Sequence, residues 1–152
     1  MKHFFATLFL GIAILAAGFG KASAQTTFKA TTGADITMAS TAFTPVTDNN
    51  SPTFTPYSIK VTEKGAYTLM FGGSIKMTTA NDTLSLAIFK NGTEVKGTET
   101  RAVVGSNIEW VPIETFAYFS SLNVGDVINV SWATHTGTTA TMHDHRMLFK
   151  QD

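Results

Sequence analysis

The chain has 152 residues, of which only 14% are charged, and a formal net charge of +0, which argues against a basic nucleic-acid groove. It has no cysteine, which excludes a disulfide framework, a thiol nucleophile and a cysteine metal cluster. A single domain is the expectation at this length.

The first 24 residues read as a secretory signal peptide. Met1-Lys2-His3 is a short basic start, Phe4 to Ala17 is a near-continuous apolar run, and Ala22-Ser23-Ala24 supplies the small residues needed for cleavage before Gln25. The apolar run falls short of the roughly 20 residues that cross hydrocarbon, so no membrane span is expected after cleavage. With no cysteine behind the run, a bacterial lipoprotein is excluded as well. Removing 24 of the 152 residues leaves 128, read as one domain over 25–152. Lys2 and Lys21 leave with the leader, so nine basic residues then face eleven acidic ones, a net charge of −2.

Gln25 to Ser40 contains one alternating patch, Asp35-Ile36-Thr37-Met38, which predicts a short first strand. Thr41 to Pro56 holds Pro45, Pro52 and Pro56 and reads as a long loop with a short edge strand inside it. Tyr57 to Val61 is the next strand. From Ala66 to Met77, apolar Tyr67, Leu69, Phe71, Ile75 and Met77 recur at every second position, interrupted by Gly73; this is the period of a pleated strand. Thr83 to Lys90 follows, closed by Asn91-Gly92, two residues that tolerate the positive φ of a tight hairpin.

Thr93 to Val104 predicts a solvent-facing strand or loop, and Gly105 to Asn107 a turn. Ile108 to Phe119 is an aromatic run with Pro112 inside it, so an irregularity or edge position is expected near Pro112 and regular pairing only from about Thr115. Leu122 to Asp126 makes a turn, Val127 to Trp132 alternates as a strand, Thr134 to Thr139 is a loop, and Ala140 to Lys150 is the last strand. About eight short strands with a turn every ten residues or so predict an all-β sandwich or barrel. In such a sandwich each strand hides one face. Met147-Leu148-Phe149 and Phe116 to Phe119 are apolar on both faces, and Met70 adds a weaker instance, so these strands are expected in one sheet whose outer face another subunit covers.

Three motifs in order then resemble the globular head of complement component 1q and its relatives, which share a jelly roll with tumour necrosis factor. They are Phe54 with Gly65-Ala66-Tyr67 opening an alternating strand, Leu84 to Gly92 ending in Lys-Asn-Gly, and Leu122-Asn123-Val124-Gly125-Asp126 before an alternating strand, with a closing apolar strand at the C-terminus. The chain departs from the pattern in lacking a collagen-like stalk and in ending with Met142 to Phe149, where the family commonly has a small, aromatic and aliphatic run. The resemblance implies a jelly-roll β-sandwich of about ten antiparallel strands. It also implies a homotrimer with the first, third, sixth and last strands facing the threefold axis. The expected contact residues are Tyr67, Met70, Phe116, Tyr118, Met147, Leu148 and Phe149.

For chemistry, an unbroken strand puts His143 and His145 on one face, with His135 on the preceding strand, close if the two strands form a hairpin, a set that can share zinc or copper. Hydrogen bonding at a strand end is the plainer account. Asp144 and Arg146 are then expected on the opposite face, in an ion pair with another strand or subunit. Asp48, Asn49, Asn50 and Asp82 are oxygen ligands for calcium, although such residues usually serve turn geometry. Trp110, Trp132 and Tyr118 are the candidates for a sugar-stacking platform, weighed against ordinary core roles. Asn81, Asn91 and Asn129 head glycosylation triplets that matter only in a eukaryotic secretory pathway. No serine elbow, His-Glu-x-x-His or phosphate loop is present, and Glu109 and Glu114, five apart in a strand, fall on opposite faces. The expectation is an exported, non-enzymatic trimeric module that binds a protein or glycan and uses no cofactor. The alternatives are a trimeric envelope, spore-coat or virion component and a small metal enzyme built on His143 and His145.

Overall fold

The structure, a computed structural model, describes residues 26–30, 35–45 and 57–152. The expected leader, Phe54 and the Asp48 to Asn50 segment lie outside the described residues. Those described form strands and turns, with no helix.

The strands are β1 (Thr26–Ala30), β2 (Ile36–Met38), β3 (Thr44–Pro45), β4 (Ser58–Lys60), β5 (Gly65–Met77), β6 (Asp82–Lys90), β7 (Thr93–Glu94), β8 (Thr100–Val104), β9 (Val111–Leu122), β10 (Val127–Thr134) and β11 (Ala140–Gln151). One sheet runs β1-β11-β5-β9, with β2 also on β11; the other runs β3-β10-β6-β7, with β4 on β10 and β8 on β6. All pairings are antiparallel. Successive long strands from β9 to β11 change sheet each time, so the two layers are sewn together by the chain itself.

The alternation in β5 does what its period predicts. Tyr67, Leu69, Phe71, Ile75 and Met77 are buried between the sheets with Leu84, Leu86 and Ile88 of β6, Val130 and Trp132 of β10, and Met147 and Phe149 of β11. Each large apolar side chain so enclosed contributes about 1.5–3 kcal/mol. Tyr67 stacks on Phe149 with ring centroids 4.7 Å apart and donates its hydroxyl to the Glu63 carbonyl at 2.7 Å. Its phenol pKa is raised, first by burial and then by Glu63.

At one edge the sheets are tied by two buried threonines. Thr98 Oγ1 accepts from the Ile88 amide at 3.0 Å, and Thr115 donates to the Thr98 carbonyl at 2.6 Å. Pairing of β9 with β5 begins at Val111 and passes through Pro112, which sits opposite Ser74, so the expected delay to Thr115 does not occur. The edge position expected near Pro112 is found: β9 ends its sheet, and an edge strand tolerates a residue without an amide proton.

Candidate functional site

Alternation that fills the core with one set of β5, β9 and β11 side chains sends the other set outward. Register places Leu148 beside Met70 and Met70 beside Phe116, so the three form one row across three strands. The next row is Lys150, Thr68 and Tyr118. Met70 is 45% exposed, Phe116 54% and Tyr118 58%, and Leu148 is half-buried. Tyr67, Met147 and Phe149, expected at the same contact, instead point into the sandwich and are buried there. A partner seated on this face would meet the other four.

Beyond the apolar row lies a charged one. Arg146 and Glu114 flank Gly72 and approach to 3.7 Å across it. A Cβ on Gly72 would come within 2.7 Å of Glu114 Cγ and 2.9 Å of the Ile113 carbonyl, so only glycine leaves room for this pair. Apolar and charged rows together edge a cleft of about 590 Å³ against the loop around Gly97 and Thr98.

At the next residues β11 departs from a regular pleat. Pairing runs from His143 opposite Ser74 to Arg146 opposite Gly72, leaving Asp144 and His145 against Gly73 alone. This is a β-bulge, with Asp144 at φ 50°. The bulge inverts the expected faces: His145 turns into the core beside Met147, while His143 turns outward with Arg146. His143 and His145 therefore do not share a face. His145 Nδ1 is hydrogen-bonded to the buried Tyr57 hydroxyl. His143 Nδ1 donates to Asp35 Oδ1 at 2.5 Å, and its Nε2 lies 3.4 Å from Asp144 Oδ1. Its pKa is raised, chiefly by the bond to Asp35.

His135 does not join them either. β10 and β11 belong to opposite sheets, so the segment between them is a crossover and not a hairpin, and the His135 amide donates to the Thr83 carbonyl beside β6. Among the described residues no three metal-ligating side chains converge. Asp82 is likewise engaged: it is buried, its Oδ2 accepts from the Thr136 and Thr138 hydroxyls, and its Oδ1 accepts from the Thr83 amide at 2.7 Å. Burial alone would raise the Asp82 pKa, but the two hydroxyls and the amide outweigh it and the net shift is downward.

Two of the three motifs singled out in the sequence meet at the opposite end of the sandwich. Asp126 accepts from Asn91 Nδ2 at 2.8 Å and from the Asn123 amide at 2.9 Å, and pairs with Lys90 at 2.9 Å. Together these hold its carboxyl at about 2, with Lys90 the largest cause. Lys-Asn-Gly and Leu-x-x-Gly-Asp are thus two halves of one structural clasp.

No family model and no curated protein matches the sequence. By structure, the chain is similar to Eiger TNF from S. frugiperda, at 15% identity and a TM-score of 0.50, covering 85% of this chain and 91% of that one. The fold is a tumour necrosis factor-like jelly roll. Weaker likenesses are to rabbit GITRL, at 12% identity and a TM-score of 0.36 over 67% of this chain and 75% of that one, and to dimeric latent PorU from Porphyromonas gingivalis. The PorU likeness has 11% identity and a TM-score of 0.43, covering 78% of this chain and 12% of that one. In this jelly roll the sheet bearing Met70, Phe116 and Leu148 is the one built from β1, β2, β11, β5 and β9.

Proposed function

We propose that this protein is an exported, non-enzymatic recognition module that works as a homotrimer, three copies meeting through the outer face of the β1-β11-β5-β9 sheet. The observation behind this reading is the contiguous row Leu148, Met70 and Phe116, with Tyr118 one row on, facing out of a sheet whose other face is already packed. Scattered apolar residues on a surface are ordinary, whereas a contiguous patch marks an interface. The row is bordered by Arg146 and Glu114, so each copy presents both signs of charge to its neighbour. A ring of identical subunits buries one patch several times over without leaving an open edge.

Export follows from the leader read in the sequence, and the binding role from the resemblance to the complement 1q and tumour necrosis factor heads. The ligand is a protein or glycan outside the cell. The deciding experiment is mass measurement of the purified mature protein by light scattering and native mass spectrometry. A trimer at micromolar concentration is the expected result, and a monomer throughout overturns the reading.

A further inference from the structure

Away from the apolar row, the same sheet ends in a group of side chains that neither the core nor the proposed subunit contact uses. Trp110 is 42% exposed although it lies beside a packed sandwich. Its ring is tilted against His143 at 5.5 Å, and the Lys76 ammonium lies 5.9 Å from its centroid. Next to it is a cleft of about 390 Å³ lined by Asp35, Lys76, Thr78, Asn107, Trp110 and Thr141. That volume is within the roughly 300–1,000 Å³ of small-ligand clefts.

We propose that this cleft is a binding site for a neutral pyranose, seated with its C–H face on the Trp110 indole and its hydroxyls toward Asp35, Asn107 and Lys76. A sugar ring has one apolar face of C–H bonds and a rim of hydroxyls that both donate and accept. It therefore needs a flat aromatic surface bordered by groups of both kinds, and here one indole is bordered by a carboxylate, an amide, an ammonium and two threonine hydroxyls. Asp35 is held in place by His143 through Oδ1, which leaves its other oxygen for ligand hydroxyls. The bulge at Asp144 is what turns His143 outward to reach Asp35.

The charge favours a neutral sugar over an acidic one. The cleft wall carries one ammonium, Lys76, and one carboxylate, Asp35, so its charges cancel and an anionic ligand would gain no net attraction there. Bases fare no better, since nucleobase recognition by stacking is normally joined to a basic groove, which the sequence lacks.

Trp110 lies six residues before Phe116, about 20 Å along an extended strand, so ligand and subunit contact occupy different ends of the sheet. The threefold presentation of the site rests on the proposed trimer, whereas the site itself is complete in one chain. Three weak sites on one particle can hold a multivalent glycan far more tightly than one.

The test is saturation-transfer NMR on the mature protein with methyl glucopyranoside, methyl galactopyranoside and methyl mannopyranoside, each beside glucuronic acid as the charged probe. At least one neutral pyranoside is expected to receive saturation. Trp110→Ala should weaken its binding about tenfold. Asn107→Ala should weaken it less, and Val103→Ala, at a residue 61% exposed on β8 of the other sheet, should leave it unchanged. No transfer to any neutral pyranoside, equal transfer with Trp110→Ala, or a preference for glucuronic acid overturns the proposal. Native mass spectra of the same samples separate the two readings: a trimer that binds no sugar removes the site alone, and a monomer that binds sugar removes the trimer alone.

Discussion

Asn91 and Asp126, 35 residues apart, hold each other by side chain: Asn91 Nδ2 donates to Asp126 Oδ1 at 2.8 Å, while Asn91 Oδ1 accepts from the amide of Val127 at 2.8 Å. Asn91 also occupies positive φ, 50°, so it serves the β6–β7 turn and the β9–β10 turn together. Asn91→Ala should therefore lose a side-chain bond, leave the Val127 amide to solvent and strain the turn. The expected cost is about 1–2 kcal/mol, read as a lower midpoint in urea with an unchanged slope. Asn91→Gly should cost less, since it keeps the turn and loses only the bonds.

The same clasp fixes a pH dependence. Asp126 is depressed to about 2 from an ordinary carboxylate value of 3.8. A depressed folded pKa contributes stability that is fully present above the unfolded value and is lost as pH falls through the folded one. Asp126→Asn should thus lower the thermal midpoint at pH about 6 and change it little at pH about 2, where the native carboxylate is itself half protonated. The Asp126 carboxyl carbon, followed by NMR, should titrate near 2.

His143 works in the opposite sense. Its pKa is raised, and it is faced by Asp35, Asp144 and Trp110, with Lys76 5.9 Å from the same indole's centroid. A raised folded pKa contributes stability below the unfolded value, near 6.5, that disappears as pH rises through the folded value. Thermal midpoints of the native protein should decline relative to His143→Ala over that rise, with the two curves parallel at higher pH. Identical curves throughout would show that the Asp35 contact does not hold in solution.

What the sequence made legible was whatever follows from a period of two. Tyr67 to Met77 and Ile128 to Trp132 show their buried faces because polar and apolar residues alternate, and Asn91-Gly92 shows its turn because few residue pairs accept that backbone. The bulge was hidden for the same reason. His143-x-His145 implies a shared face only while the pleat is unbroken, and nothing about Asp144 distinguishes an extended residue from one at φ 50°. Gly73 was the one available signal, since a glycine within an alternating apolar face often marks a bulge or a close backbone approach. The partnership of Asp35 with His143, 108 residues apart, had no local signature. Nor did the sheet change after β10 that carries His135 away from the other two histidines.

Gly73 and Asp144 give the bulge its own test. A Cβ on Gly73 would lie 3.0 Å from the His143 carbonyl and 3.1 Å from His145 Cα, backbone atoms that cannot swing aside. Gly73→Ala should destabilise by about 1–3 kcal/mol in urea denaturation, as overpacking does. Asp144→Gly should relieve the positive φ and stabilise by about 0.5–1 kcal/mol, less what is lost with the contact to His143. If Gly73→Ala is neutral, the strand is regular there, and the separation of His143 from His145 fails with it.

The outer row can be tested without disturbing the core, because Phe116 is 54% exposed in one chain and points away from the residues that hold the sandwich together. Phe116→Lys should leave the monomer fold intact, with unchanged far-ultraviolet circular dichroism. Its effect should fall on assembly, because an isolated chain keeps its one new lysine in water, whereas the proposed ring would force three lysines together. Desolvating each is costly, and the Arg146 that borders the row adds to the repulsion. The expected outcome is conversion of the proposed trimer to monomer at micromolar concentration, by sedimentation velocity. Glu114→Lys, which reverses the charge beside Arg146 without touching the apolar row, should weaken assembly in the same direction and less. A Phe116→Lys protein that still sediments as the wild type would place the subunit contact elsewhere on the molecule.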